Sequence, residues 1–179
     1  MSRILPAIDS LDQHLYHLEH HPEAYCPQRC PHCGMEGVWV HGHYLRKADR
    51  EGGGGVYLDP VPIPRYYCPH CQRTCSRLPS CIAPRRWYLW TVQQAAITFV
   101  LGGRSFRRSA GKCQPNRRTI SRWWQWMKER FALHSFHLRN HFPALGRHAS
   151  ISSFWSACLE QMSLADAMTW LDRDGVVIP

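Results

Sequence analysis

Two near-identical cysteine pairs constrain this chain more than any other feature: Cys30-Pro-His-Cys33 and Cys68-Pro-His-Cys71. A Cys-x2-Cys turn places two thiolates on one tight loop, at the separation of two corners of a tetrahedron with zinc–sulfur bonds of about 2.3 Å. Two such turns, carried by hairpins, supply all four corners. The sequence therefore predicts one structural Zn²⁺ bound by Cys30, Cys33, Cys68 and Cys71. Four sulfur ligands leave no open position for water, so hydrolytic chemistry is not expected there.

Further cysteines and histidines lie beside these pairs. Cys26 and Cys75 each stand four positions outside a pair, and we expect both to be spare or structural, with replacement of a ligand by either as the alternative. His32 and His70 lie inside the pairs. We expect them to face solvent or a phosphate, because adjacent residues on so tight a turn rarely both coordinate a metal. Without an export signal, nine cysteines favour metal binding or free thiols over a disulfide framework.

The pattern predicts an α+β fold: a small β zinc ribbon followed by an all-α helix-turn-helix domain with C-terminal amphipathic helices. The first half is divided into an N-terminal helical segment over 1–24 and a ribbon over 25–82. Leucines at helical spacing predict a helix from about Asp9 to His21. Strand formers predict strands over Val38–Leu45 and Val61–Tyr67, with Gly52–Gly55 as a hairpin tip and Leu78–Pro84 as an irregular connector.

The second half is helical, with a helix-turn-helix domain predicted over 85–131 and a helical tail over 132–179. Apolar residues from Val92 to Val100 follow helical spacing and stop at Gly102-Gly103. Ser105 is expected to cap a short helix to about Ala110, and Asn116 to cap another from Arg117 to about Phe131. Two amphipathic stretches follow, over 151–162 and 164–171.

Charge is concentrated in one segment. The chain carries a formal net charge of +9, yet residues 1–84 are neutral. The segment 85–130 contains eleven basic residues and the single acid Glu129, and 131–179 is nearly neutral. This distribution indicates binding to a polyanion, the alternative being a solvated basic surface that serves only solubility.

The helix from Arg117 has two contrasting faces. One is an apolar stripe, expected to be core: Ile120, Trp124, Met127 and Phe131. The opposite face is expected to read bases in the major groove, where arginine pairs with guanine and glutamine with adenine: Arg118, Ser121, Arg122 and Gln125. Phosphate contacts are expected from flanking basic residues: Arg107, Arg108, Arg117 and Lys128. The alternative is an ordinary surface helix with solvated arginines.

Four segments together resemble a known family: Cys30-Pro-His-Cys33-Gly, His41-Gly-His-Tyr44, Arg65-Tyr-Tyr-Cys68-Pro-His-Cys71-Gln-Arg-Thr-Cys75-Ser-Arg-Leu-Pro79 and Thr119-Ile-Ser-Arg-Trp123. They are similar to the N-terminal zinc-ribbon and helix-turn-helix part of bacterial insertion-sequence transposases, and to small transposase-associated proteins of unknown function that carry only that part. The similarity covers about Tyr25 to Arg130. It implies binding to transposon ends or related DNA. In that family the position of Cys75 is usually aromatic or apolar, which supports leaving Cys75 out of the metal site.

The chain also departs from that family. Such transposases continue into a nuclease core in which three separated carboxylates hold two metal ions. Here only four acids follow the basic segment: Glu160, Asp166, Asp172 and Asp174. We therefore expect no catalytic residues and no enzyme activity.

The leading interpretation is a sequence-specific, double-stranded-DNA-binding protein of mobile-element type, either binding transposon ends or acting as a regulator. Two alternatives are a zinc-ribbon assembly protein and a non-catalytic transposase subunit completed by another chain. The helices over 151–171 are expected to pack on the domain or to form a homodimer. No long apolar run or signal peptide is found, so we expect a cytoplasmic, nucleoid-associated protein with no membrane partner and no small-molecule substrate.

Overall fold

The computed structural model describes residues 3–47, 60–84, 88–113 and 115–178. The chain forms two compact units, Met1–Trp87 and Tyr88–Pro179, called here the N-terminal and C-terminal units. Small β-sheets occupy the first unit and most of the helices lie in the second. The predicted α+β class is confirmed.

The described part of the N-terminal unit contains two small sheets and one α-helix. Its elements are β1 (Ile4–Leu5), α1 (Leu11–His20), β2 (Trp39–Arg46), β3 (Val61–Cys68), β4 (Arg73–Cys75) and β5 (Leu78–Pro79). Strands β2, β3 and β4 form an antiparallel sheet in that order, while β1 and β5 pair in parallel. Helix α1 and both long strands match the sequence prediction. The predicted hairpin tip at Gly52–Gly55 lies outside the described residues.

Two apolar clusters along β3 form the core of this unit. Val61 and Ile63 are buried in one and Tyr66 in the other, and leucines of α1 pack against both. Buried His14 of α1 links the layers: its Nε2 donates to the Pro62 carbonyl oxygen at 2.9 Å, so its Nδ1, 2.6 Å away, accepts from the Tyr25 hydroxyl. Burial lowers the pKa of His14, consistent with this neutral ring.

The predicted connector Leu78–Pro84 is partly wrong, because Leu78 and Pro79 form strand β5. They pair with Ile4 and Leu5, more than seventy residues earlier in the chain. A two-residue strand of this kind leaves no local pattern in the sequence, because it forms only by pairing with a distant segment of the chain.

Six α-helices are found in the described residues of the C-terminal unit. They are α2 (Trp90–Leu101), α3 (Phe106–Ala110), α4 (Arg117–Glu129), α5 (Phe131–His141), α6 (Ile151–Gln161) and α7 (Leu164–Arg173). The side chains at four helix starts accept a hydrogen bond from the third backbone N–H of the helix: Ser105, Asn116, Ser150 and Ser163. Local capping chemistry therefore sets these boundaries, and the caps at Ser105 and Asn116 were predicted.

Helix α5 was not predicted. Its buried positions are His134, Ser135 and Leu138, so two of the three are polar and no apolar stripe marks the helix in the sequence. Arg130 separates α4 from α5, and α4 accordingly ends before the predicted Phe131.

Helix α2 lies at the centre of this unit and contacts α3, α4, α6 and α7. The predicted apolar stripes of α6 and α7 pack within the unit, with Phe154, Trp155, Cys158, Met168 and Leu171 fully or almost fully buried. In the described part of the chain, every helix is too short or too polar to cross a bilayer.

Candidate metal centre and basic groove

The two cysteine pairs converge in the N-terminal unit. Sulfur atoms of Cys30, Cys33, Cys68 and Cys71 all lie within 4.8 Å of one another. The Sγ atoms of Cys30 and Cys71 are 3.6 Å apart, as are those of Cys33 and Cys68. In a tetrahedral site with metal–sulfur bonds of about 2.3 Å, neighbouring sulfurs are about 3.8 Å apart. The cluster therefore has the size and ligand number of a four-sulfur metal site.

Both pairs use the same turn. Gly34 follows Cys33 with a φ of 76°, and Gln72 follows Cys71 with a φ of 56°. In the first turn, the Gly34 N–H donates to the Cys30 carbonyl oxygen at 2.9 Å. A left-handed residue after the second cysteine is thus common to both turns. Glycine adopts this conformation without strain, whereas glutamine does so at a cost.

The thiols differ in acidity. Burial raises the pKa of Cys30, but hydrogen bonds from the backbone of His32 and Cys33 and from the Cys71 and Cys68 thiols outweigh it and lower this pKa to about 7. Burial raises the pKa of Cys71 to about 12. A bound metal requires all four sulfurs in the thiolate form.

The neighbouring cysteines and histidines are not part of this group in the described structure. Cys26 and Cys75 pack against the cluster formed by Leu5, Ile8, Tyr25 and Tyr66. Burial raises the pKa of Cys75 to about 11, so this thiol is kept protonated. Their packing gives both cysteines a place in the apolar core, in keeping with the expected structural role.

Helix α4 presents one buried face and one exposed face. Ile120, Trp123 and Met127 are buried, while Trp124 is only half-buried. Two of the four predicted stripe residues, Trp124 and Phe131, are thus only half-buried, and Trp123 completes the buried face at spacing i, i+3, i+7. Tyr88 packs edge-on against Trp123, with ring centroids 5.5 Å apart.

An open groove of about 570 Å³ lies between α3 and the first two turns of α4. It is called the basic groove here and is lined by Ser105, Phe106, Arg107, Arg117, Arg118, Ser121 and Arg122. Its lining contains four arginines and no acidic side chain. The structure thus brings together five of the eight residues predicted to contact DNA. Ser105, predicted only as a cap, and Phe106 were not predicted to line it.

The arginines of the basic groove have no counter-charge within the described residues. All four are exposed, and the ion pairs found elsewhere in the described chain do not include them. Four guanidinium groups on one concave surface repel one another unless an anion neutralises them. The groove is therefore suited to a ligand carrying several negative charges.

The remaining predicted contact residues lie outside this groove. Arg108 and Lys128 are exposed. Gln125 is exposed too, but its Nε2 donates to Glu129 Oε1 at 3.0 Å, one turn further along α4. The side chain predicted to read adenine is thus held toward the only acid of the basic segment.

A second polar cluster was missed by the sequence prediction. Asp174 accepts from His137 Nδ1 at 2.9 Å and from His141 Nε2 at 3.0 Å. Hydrogen bonds from these two imidazoles overcome the effect of burial and lower the pKa of Asp174. The cluster ties the end of α7 to α5.

Comparison with known families matches a single stretch of the sequence that contains the residues of both sites. The family described as "Domain of unknown function (DUF6431)" matches residues 30–123, just over half of the chain. This span runs from Cys30 through Trp123 of α4, and so includes the cysteine cluster and the basic groove. No curated protein and no solved structure matches the chain. The chain belongs to the DUF6431 family.

Proposed function

We propose that this member of the DUF6431 family is a double-stranded-DNA-binding protein with a structural zinc site and no catalytic centre. The observation that carries the proposal is the basic groove, in which four exposed arginines gather at the start of α4 without an acidic partner among the described residues. A duplex presents a regular array of phosphates to such a surface.

Zinc is the metal proposed for the cysteine cluster. Four thiolates at nearly tetrahedral separations suit Zn²⁺, because thiolate ligands are soft and the ion has no geometric preference of its own. When bound, the ion would cross-link the turn before β2 to the turn between β3 and β4. With Cys30, Cys33, Cys68 and Cys71 as ligands, no position is left for a reacting water.

The arrangement of α3 and α4 supports a helix-turn-helix. The short α3 packs against α4, the two are joined by a turn, and both contribute arginines to the basic groove. The buried face of α4 faces its own unit through Ile120, Trp123 and Met127, so Arg118 and Arg122 are left exposed. A recognition helix needs this division between a packed face and a reading face.

The acids after α4 have local structural roles. Asp166 completes the capping box of α7, and Asp174 accepts from two histidines. Asp172 is buried and Glu160 exposed. Among the described residues, no three of these carboxylates form a group that could hold a metal.

The resemblance to transposase N-terminal regions makes transposon ends the first DNA to examine. An assembly protein that uses the ribbon to hold a protein partner is the competing class. Such a partner would not require the concentration of arginine in the basic groove, so we place DNA first.

Salt-dependent binding tests the proposal. Fluorescence anisotropy with a labelled duplex should show affinity falling steeply as salt rises, with a log–log slope close to the number of phosphates contacted. Replacing Arg107 and Arg117 with alanine should reduce that slope by about 1 per residue. Arg147→Ala is the matched control, because Arg147 is exposed in the same unit and lies outside the groove. An affinity that does not change with salt would reject the DNA-binding function. An equal reduction of the salt slope by Arg147→Ala would also reject it.

A further inference from the structure

We infer that the duplex recognised by α4 carries two guanines about two base-pair steps apart, one read by Arg118 and the other by Arg122. This inference rests on the proposed function and adds the sequence class of the DNA. Three features of the exposed face of α4 support it.

The first feature is the spacing of the two arginines. Arg118 and Arg122 are one turn apart and both line the basic groove. Four residues rise about 6 Å along a helix, and successive base pairs are about 3.4 Å apart. A helix lying along the major groove would thus bring the two guanidiniums to bases about two steps apart. The guanidinium fork matches the O6 and N7 acceptors of guanine.

The second feature is that the other two arginines of the groove lie off the line joining Arg118 and Arg122. Arg117 is about 100° away from Arg118 around the axis of α4, and Arg107 belongs to α3. Both are therefore placed beside the reading face and not on it. Contacts from such positions reach phosphates and fix the register of the protein on the duplex.

The third feature argues against Gln125 as the residue that reads a base. To read adenine, Gln125 must present both its amide N–H and its carbonyl oxygen to one base. Here its Nε2 donates to Glu129, which places a carboxylate beside the only glutamine of the exposed face. That carboxylate would repel the phosphates of an approaching duplex. Arg118 and Arg122, in contrast, line a groove that has no acidic side chain.

Selection of bound duplexes from a random pool, using the full chain loaded with zinc, tests the inference. The expected result is enrichment of two guanines one to three steps apart. Arg118→Ala should abolish the preference at one of them and Arg122→Ala at the other, each lowering discrimination about 10- to 100-fold. Gln125→Ala should leave the selected motif unchanged.

Lysine variants separate base reading from simple attraction. Arg118→Lys and Arg122→Lys keep the positive charge but lose the planar fork. They should lose the guanine at the corresponding position, and their affinity for the selected motif should fall much more than their affinity for random-sequence DNA. Because both positions are exposed, neither substitution disturbs the core.

The possible failures are distinguishable. Salt-dependent DNA binding without guanine enrichment, or with a motif that survives both alanine variants, would overturn this inference and leave the proposed function intact. Loss of the motif in Gln125→Ala would also overturn it. Absence of any duplex binding by the original chain would reject the proposed function and this inference together.

Discussion

The cysteine cluster and the basic groove each bring together side chains of one kind, but the cysteine cluster is closed and the basic groove is open. The four sulfurs lie within 4.8 Å of one another, two of the cysteines are fully buried, and the space between them fits one ion. The four arginines instead line an open groove of about 570 Å³ and are all exposed. Enclosed ligands can bind one ion and so fix the fold of the polypeptide around it. Exposed charges of one sign remain available to an external partner of opposite charge.

The two units should depend on these sites to different degrees. The N-terminal unit has small sheets and short core clusters, so a metal cross-link would supply much of its stability. The C-terminal unit has an extensive helical core around α2 and needs no ligand to pack. Loss of a cysteine should therefore damage the fold, and loss of an arginine should damage only binding.

The largest effect is expected on removing a metal ligand. Cys33→Ser should abolish stoichiometric zinc binding and destabilise the N-terminal unit by on the order of 5 kcal/mol, because the free energy of metal binding contributes directly to folding. Cys33 is exposed, so the loss cannot come from packing. Elemental analysis and thermal unfolding provide the measurements, with half-buried Cys113→Ser as control. A variant that retains one zinc per chain would contradict the four-ligand assignment.

Acid should affect the C-terminal unit through His134. This ring is buried against Trp126 and Trp155, and neither of its nitrogens has a hydrogen-bond partner among the described residues. Burial, with Arg130 and His137 adding to it, lowers its pKa to about 4. The folded pKa lies below the unfolded value of 6.5, so the unfolded chain binds the proton more tightly. Stability is then complete above about pH 6.5 and falls by about 3 kcal/mol as the pH approaches 4.

Replacing this histidine isolates the effect. His134→Phe should remove most of the stability loss between pH 6.5 and 4, and should raise stability at neutral pH by about 1 kcal/mol by eliminating two unpartnered polar atoms. Urea denaturation followed by tryptophan fluorescence at several pH values measures both. An unchanged pH dependence would show that other groups control the acid response.

A smaller effect is expected at the two cysteine turns. Gln72→Gly should stabilise the zinc-loaded N-terminal unit by about 1 kcal/mol, because Gln72 has a φ of 56°. Gly34→Ala, at the equivalent position of the other turn, should destabilise it by a similar amount through backbone strain alone, since an added Cβ would contact nothing within 4 Å. Denaturant midpoints of the two variants should shift in opposite directions. Equal shifts in the same direction would show that the turns are not equivalent.

The smallest effect on stability is expected in the basic groove. Arg122→Ala should change the unfolding free energy by less than about 0.5 kcal/mol, because Arg122 is exposed and makes no ion pair among the described residues. Calorimetry of the C-terminal unit in the full chain measures this. A large loss would mean that the groove supports the fold, and the contrast between the two sites would disappear.

Features with a local cause were predictable. The cysteine pairs follow from their spacing, and the starts of α3, α4, α6 and α7 follow from serine or asparagine at the cap. The amphipathic character of α4 was equally visible, but periodicity alone could not distinguish Trp123 from Trp124 as the buried ring. Both lie near the border of the stripe, and packing against Tyr88 involves Trp123.

Other features depended on contacts between distant segments. The pairing of β5 with β1 and the burial of His134 in α5 follow no hydrophobic period. The approach of Arg107 to the arginines of α4, and the seating of Asp174 between two histidines, required the helices to be placed in space. Short-range spacing was sufficient to predict which residues cap helices and which form cysteine turns, because these interactions join residues only a few positions apart in the sequence. Which polar groups are buried, and which charges share a surface, depended on chain packing, because burial and electrostatic energy are set by neighbours far away in the sequence.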